Sequence, residues 1–369
     1  MWRPVPLKIA FLYMQGRLAR LASARAGETP TEFFYGAIEL ERQGCEIGHF
    51  EFDPDEPAGA AAGALNLLRG SAPPKLDGRT VMQAWRLCAQ LAGYDCVVAT
   101  AGKIAFALAL AFAAGGIRTP IVAIHCGLLN HPLNARRTWT TRRLLARMHT
   151  VLFGEAEKPP MISAFGLPAG AITVHQFGVD ADFWNPDPAA PRDIVLAVGN
   201  DGRRDFSTLL AAAPLIPAEI HIVTRLPLPA PLPPNVIHHA GSWHAPAISD
   251  AELRALYRQA RCVVVPLIPS AQPSGQSVTL QAMACGCPVV LTETDGLWTR
   301  EYLRDGENIL FTPPGDSRAL AAKIGMVLTA ADCAEKLGAA ARATVLTAGH
   351  IGLFAAGIRA ACTQAARGV

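Results

Sequence analysis

The chain has 369 residues, too many for one small core and suited to two domains of roughly 150 to 200 residues each. Apolar residues make up 51% and charged residues 17%, which excludes a globally disordered chain, and the formal net charge of +3 is unremarkable. Nine scattered cysteines, an odd number, fit reduced thiols better than a disulfide framework.

The N-terminal KIAFLY is a strand-length apolar run followed by Arg17 and Arg20, without a secretory cleavage pattern. It reads as the first strand of a cytoplasmic protein. Further short apolar runs follow: CVVAT, TPIVAIH, IVLAVGN, IHIVT, CVVVPL and CPVVLT, most leading through a loop into a helical pattern. Val- and Ile-rich runs without polar alternation, separated by helices, predict parallel sheets buried on both faces. The run Ile104–Ile117 is too short to span a bilayer and predicts a buried helix. Two series of runs are divided near VHQFGVDADFWNPDPAAP, where Pro186, Pro188 and Pro191 form a linker.

Charge is unevenly placed. Up to Pro186 there are 18 basic and 15 acidic residues, and 15 of each afterwards. No Asp or Glu occurs from Cys96 to Gly154, a segment that holds Arg136, Arg137, Arg142, Arg143 and Arg147 together with Trp139. This stretch fits an anionic acceptor or the headgroups of an anionic membrane, with a solvated arginine-rich helix as the plain alternative. Little aromatic interleaving and the absence of a recognised motif argue against nucleic acid.

Ligands of open parallel sheets bind beyond the carboxyl ends of the strands. After IVLAVGN, Gly199 permits a sharp turn, Asn200 and Asp201 follow, and Arg204 stands just before a helix for which Asp205 is the expected N-cap. A fixed guanidinium beside free helix donors suits a phosphate. After CVVVPL, the sequence PSGQSVTLQAMACGC puts Ser274 and Gly275 ahead of a helix over about Ser277–Ala284. Gln281 shares a face with Val278, Ala282 and Cys285, so it is either a satisfied core amide or a ligand donor. Cys285 and Cys287 lack metal-site spacing and read as packing thiols. His125 closes TPIVAIH, where a histidine can bond a sugar or serve the structure.

From VVVPLIPSAQPSGQS through DGENILFTPPGD to ALAAKI, the sequence resembles the retaining glycosyltransferases of family four. VHQFGVDADFWNP and AVGNDGRRDFSTLLAA extend the resemblance over nearly all of the second half. It implies a GT-B fold, α/β, with two Rossmann-like doubly wound parallel-sheet domains facing a cleft. The expected divisions are 1–186 on the acceptor side, 187–345 for the nucleotide sugar, and a C-terminal helix in 346–369 that packs back on the first domain. It also implies transfer of a hexose-like sugar from a nucleotide diphosphate with retention, and neither metal nor cofactor beyond that co-substrate. Arg204 then matches a diphosphate-binding basic residue, and Ser274, Gly275, Gln276 and Ser277 match the loop at the sugar and phosphates. His125 matches a sugar contact near the reaction centre, and Gly27 lies in a loop closing over the diphosphate. Gly199 and Asn200 belong to the first nucleotide-side loop.

Two departures stand out. The family carries two glutamates in this region where this sequence has Pro273 and Gln281, which implies an altered ribose contact at Gln281. Asn200 or Asp201 replaces a second basic residue. These changes admit an alternative, a catalytically silent nucleotide-sugar binder or partner subunit. A peripheral position at the inner face of a membrane is the corresponding expectation for location.

Overall fold

The computed structural model describes residues 6–53, 55, 73, 76–240, 248–298 and 300–367, so His244 of the NVIHHAGSWH stretch lies outside them. The chain divides into two compact units, one of residues 1–26, 33–176 and 354–369, the other of residues 27–32 and 177–353.

In the first unit, β1 (Lys8–Met14), β2 (Glu46–Phe52), β3 (Cys96–Ala99), β4 (Ile121–Ile124), β5 (Met148–Leu152) and β6 (Ile172–Val174) form one parallel sheet in the order β2-β1-β3-β4-β5-β6. Every residue of β3, β4 and β5 is buried, as strands covered by helices on both faces require. The apolar run after β3 forms the helix Gly102–Gly115, with eight of its side chains or glycines buried and Gly116 closing it in the left-handed conformation. The part of the C-terminal helix Ile351–Arg367 that belongs to this unit packs Phe354 on Phe153, ring centroids 5.9 Å apart. Its Ala355 sits so close to Gly36 that a Cβ there would lie 2.8 Å from the Ala355 backbone.

In the second unit, β7 (Ile194–Val198), β8 (Ile220–Val223), β9 (Val236–His239), β10 (Ala260–Val265), β11 (Val289–Thr292) and β12 (Leu310–Thr312) form a parallel sheet ordered β12-β11-β10-β7-β8-β9. Alternate residues feed two cores: Leu196, Val263 and Val289 on one side, Val195, Val264 and Val290 on the other. The chain runs outward from β7 to β9, then returns to β10 beside β7, so the order reverses between β7 and β10. Loops leaving those two strands therefore meet at the switch point, the place where such sheets bind ligands.

The passage into the second unit falls at Phe177, ahead of the proline run. Val179, Ala181, Phe183 and Trp184 are buried in that unit's core, which commits the segment before Pro186 arrives. Together these elements make two doubly wound parallel sheets, the α/β architecture of the GT-B fold.

Candidate nucleotide-sugar site

The loops after β7 and β10 pair with each other. Asp205 donates its backbone N–H to Pro266 O at 3.0 Å, and Ile268 donates to Arg203 O at 2.9 Å. This pairing carries Arg204 inward, where its side chain is only 3% exposed. Its Nε donates to Val198 O at 3.1 Å and its Nη1 to Ser274 Oγ at 3.2 Å, with Asp201 Oδ2 also 3.2 Å away. Asp201 accepts in turn from Ser274 Oγ at 2.8 Å and from the Arg203 N–H at 2.9 Å. Burial lowers the Arg204 pKa and the Asp201 carboxylate opposes that shift. The guanidinium stays charged, because arginine titrates far above neutrality.

Two glycines make room for this side chain. A Cβ on Gly199 would overlap Arg204 Nε. A Cβ on Gly275 would come within 2.6 Å of Val265 Cγ1 and 3.2 Å of Arg204 Nη1, and its φ of 79° disfavours any side chain. Gly275 is the N-cap of the nine-residue helix Gln276–Ala284, so the helix opens directly beside the guanidinium. The first backbone N–H groups of a helix lack internal partners and carry its positive end. Gln276, 8% exposed, has a buried Nε2 with no hydrogen-bond partner among the described residues. Ser277 follows half-buried in the helix's first turn. A buried arginine, an unpaired amide donor and a helix entrance thus converge, and each offers hydrogen bonds that an anion would accept.

Asn200 has a different part. Its Oδ1 accepts from the Arg225 N–H at 2.7 Å and from Thr224 Oγ1 at 3.4 Å, tying the turn after β7 to the end of β8. Asp201, rather than only removing positive charge, holds both Arg204 and Ser274 in place.

Gln281 departs from the expected ribose contact. It is 3% exposed, its Oε1 accepts from Tyr257 Oη at 3.1 Å, and its Nε2 donates to Glu32 Oε1 at 3.0 Å. With oxygen and nitrogen both engaged inside the unit, Gln281 is a satisfied core amide. Glu32 also accepts from Trp184 Nε1 at 2.7 Å and from the Asp180 N–H at 3.2 Å. Sequence reasoning passes over Glu32, Trp184 and Tyr257, since no local pattern joins them. At the far end of the helix, Arg192 donates to Cys285 O at 2.9 Å and Arg342 donates to Ala284 O, satisfying terminal carbonyls. Burial pushes the thiols of Cys285 and Cys287 up to about 12, which makes them packing groups.

The remaining predicted residues lie elsewhere. Gly27 has a φ of 76° in the 27–32 segment of the second unit, with open space where a Cβ would stand. His125 follows β4 in the first unit, 1% exposed, its Nε2 without a hydrogen-bond partner among the described residues and its ring centroid 5.3 Å from that of Phe106. Burial lowers its pKa to about 4, so the imidazole is neutral near pH 7. It faces a cavity of about 330 Å3 that Tyr35, Gly102, Lys103, Cys126 and His131 also line. The turn beyond it is fixed by Glu157, whose Oε1 accepts from the Gly127 N–H at 2.7 Å and whose carboxyl burial pushes up to about 7.

The arginines of the acid-free segment lie on or just after the helix Ala135–Leu145, which Asn134 caps by accepting from the Arg137 N–H at 2.8 Å. Arg136, Arg142, Arg143 and Arg147 are exposed, and Arg143 Cζ lies 4.9 Å from the centroid of the exposed Trp139 ring. Arg137 donates from Nη1 to Pro132 O at 2.8 Å, and Arg142 passes close over Gly166. Arg147 lines a cavity of about 440 Å3 with Arg118 and His149 at the amino ends of β4 and β5. No helix among the described residues is long and apolar enough to cross a membrane.

Known proteins share this architecture. A glycosyltransferase from Rickettsia africae aligns with a TM-score of 0.69 at 14% identity, covering 98% of each chain. Anabaena HepE, solved in complex with UDP-glucose, aligns at 0.67 and 18% identity over 97% of this chain and all of its own. Sucrose-phosphate synthase from Thermosynechococcus elongatus aligns at 0.68 and 18% identity over 98% of this chain and all of its own. No curated protein sequence matches the chain. The family model for glycosyl transferases group 1 matches residues 192–330, the stretch that holds Arg204 and the Gln276–Ala284 helix, within a chain of GT-B fold.

Proposed function

We propose that the protein transfers a hexose-like sugar from a nucleotide diphosphate to an acceptor with retention of anomeric configuration. The observation that carries this reading is the buried Arg204, held by Val198, Asp201 and Ser274 at the mouth of the Gln276–Ala284 helix beside the unpaired Gln276 amide. The family match over residues 192–330 supports it, as does the UDP-glucose bound by Anabaena HepE.

The chemistry follows from charge. As the bond between the anomeric carbon and the phosphate oxygen breaks, its electron pair goes to the diphosphate. Donors already fixed by the fold stabilise that growing charge more than the ground state. The acceptor hydroxyl bonds to the anomeric carbon on the face the phosphate leaves, and its proton passes to the departing phosphate oxygen. Ser274, Gly275 and Ser277 frame the phosphates, Gly199 leaves room for the Arg204 side chain that faces them, and Gly27 leaves open backbone space. His125, neutral and buried with an open Nε2, is assigned to a sugar hydroxyl in the cavity it lines. The exposed arginines and Trp139 of the Ala135–Leu145 helix are assigned to an anionic membrane surface or acceptor.

Purified protein with a panel of nucleotide diphosphate sugars and alcohol acceptors is the test, read by product formation and by the anomeric configuration of the product. The reading expects the donor's configuration in the product and at least a hundredfold loss for Arg204→Ala. Inverted product would refute retention, and binding without turnover across the panel would favour a silent binder.

A further inference from the structure

The segment of residues 27–32 belongs to the second unit although the chain on either side of it belongs to the first. The contacts that put it there form a reciprocal clasp. Thr31 donates its backbone N–H to Asp180 Oδ2 at 3.2 Å, while Asp180 donates its own N–H to Glu32 Oε2 at 3.2 Å. The second Glu32 oxygen accepts from Trp184 Nε1 and Gln281 Nε2. Asp180 Oδ1 is fixed in turn by the N–H groups of Phe183 and Asp182, at 3.1 and 3.2 Å. Trp184 is held edge-on between Phe183 and Tyr257, with centroid distances of 4.8 and 5.6 Å, so its indole N–H has little freedom to turn away.

A carboxyl group suits this position in either charge state, because both of its oxygens can accept: Oε1 from Trp184 and Gln281, Oε2 from the Asp180 N–H. An amide at residue 32 would aim N–H groups at other N–H groups. A carboxylate at residue 281 would face the one already at 32.

We infer that Glu32 is a positioning residue, which fixes the Gly27–Thr31 backbone on the second unit through Gln281, Trp184 and Asp180. That this placement also sets nucleotide diphosphate affinity rests on the function proposed above; the clasp itself does not. Gln281 is thereby explained as the amide donor that the buried carboxyl of Glu32 accepts from.

The charge state of the clasp depends on pH. Burial pushes the Glu32 carboxyl up to about 7, against the hydrogen bonds from Gln281 and Trp184 and with a further upward push from the neighbouring Asp180 carboxylate. Tyr257, beyond Gln281, has its own hydroxyl pKa raised by burial and is neutral throughout this range. A carboxyl raised in the folded form favours the clasp fully below its unpaired value of 4.5, and this advantage is lost as pH rises through about 7.

Amide hydrogen exchange of the whole protein tests the inference without any ligand. In the wild type, the opening constant of residues 27–32, corrected for intrinsic exchange, should rise about tenfold per pH unit from pH 5 to 7 and level off above. Glu32→Gln should open the segment about tenfold or more at pH 6 and abolish the pH dependence. The exchanged pair Glu32→Gln with Gln281→Glu should recover part of the protection. Glu32→Gln protection equal to wild type, or lost evenly across the second unit, overturns the inference. Exchange of the wild-type Thr31 N–H at the rate of an unstructured chain overturns the inference even where a variant does not fold. Calorimetry with UDP then separates the two claims: loosened exchange with unchanged UDP affinity keeps the clasp and removes its link to the donor.

Discussion

At the scale of single residues, burial decides what each polar group can do. His125 is neutral because charging it inside the first unit is unfavourable, so the role proposed for it is a hydrogen bond and not a proton transfer. Its depressed pKa has a consequence for stability. The contribution is full above the unfolded value of 6.5 and is lost as pH falls through about 4. Between pH 7 and 4.5 the wild type should lose about 2 kcal/mol more than His125→Asn in urea unfolding. Equal losses would show that the imidazole is charged or hydrated in the native state. Arg204 was legible through the resemblance of AVGNDGRRDFSTLLAA, since its position after a glycine turn fits a solvated loop arginine equally well. Glu32 was not, because its partner Gln281 is 249 residues away and a lone glutamate before an apolar stretch looks like any solvated charge. Glu157, which fixes the turn beyond His125, escaped for the same reason.

At the scale of elements, strands with uninterrupted Val and Ile runs were plain, and β1, β3, β4, β7, β8, β10 and β11 fall where those runs predict. The missed strands have physical reasons. β2 is an edge strand, EIGHFEF, with only Phe52 fully buried, and β5 carries His149 and Thr150 inside the sheet. β6 and β12 are three residues each and are defined by their neighbours. The Ala135–Leu145 helix illustrates the converse: its charge was legible, but the distribution of that charge was not. Arg137 is turned onto Pro132 and Arg142 lies close to Gly166, while Arg136 and Arg143 are exposed, the latter over the Trp139 ring. Each exposed arginine near an anionic bilayer contributes about 1 kcal/mol. Co-sedimentation with vesicles rich in phosphatidylglycerol should therefore be salt-sensitive and fall at least tenfold in Arg136→Glu with Arg143→Glu. Failure to bind at any lipid composition and salt would remove the membrane assignment.

At the scale of the molecule, the two parallel sheets place ligand-facing loops by topology. Strand order reverses between β7 and β10, and the loops at that reversal supply Arg204 and Ser274. Neither residue could be brought to the other by local sequence, since 70 positions separate them. The strand-end position of each loop follows from the fold class, and the hydrogen bonds that join the two loops are seen only in the structure. The central claim is that this point binds a nucleotide diphosphate through a preorganised arginine. Isothermal titration of UDP and related nucleoside diphosphates into the wild type, Arg204→Ala and Gly275→Ala tests it most directly. The account predicts saturable binding by the wild type and a loss of about tenfold to a hundredfold in both variants, from the missing charge in one and the displaced side chain in the other. Equal nucleotide affinity in all three proteins would contradict it.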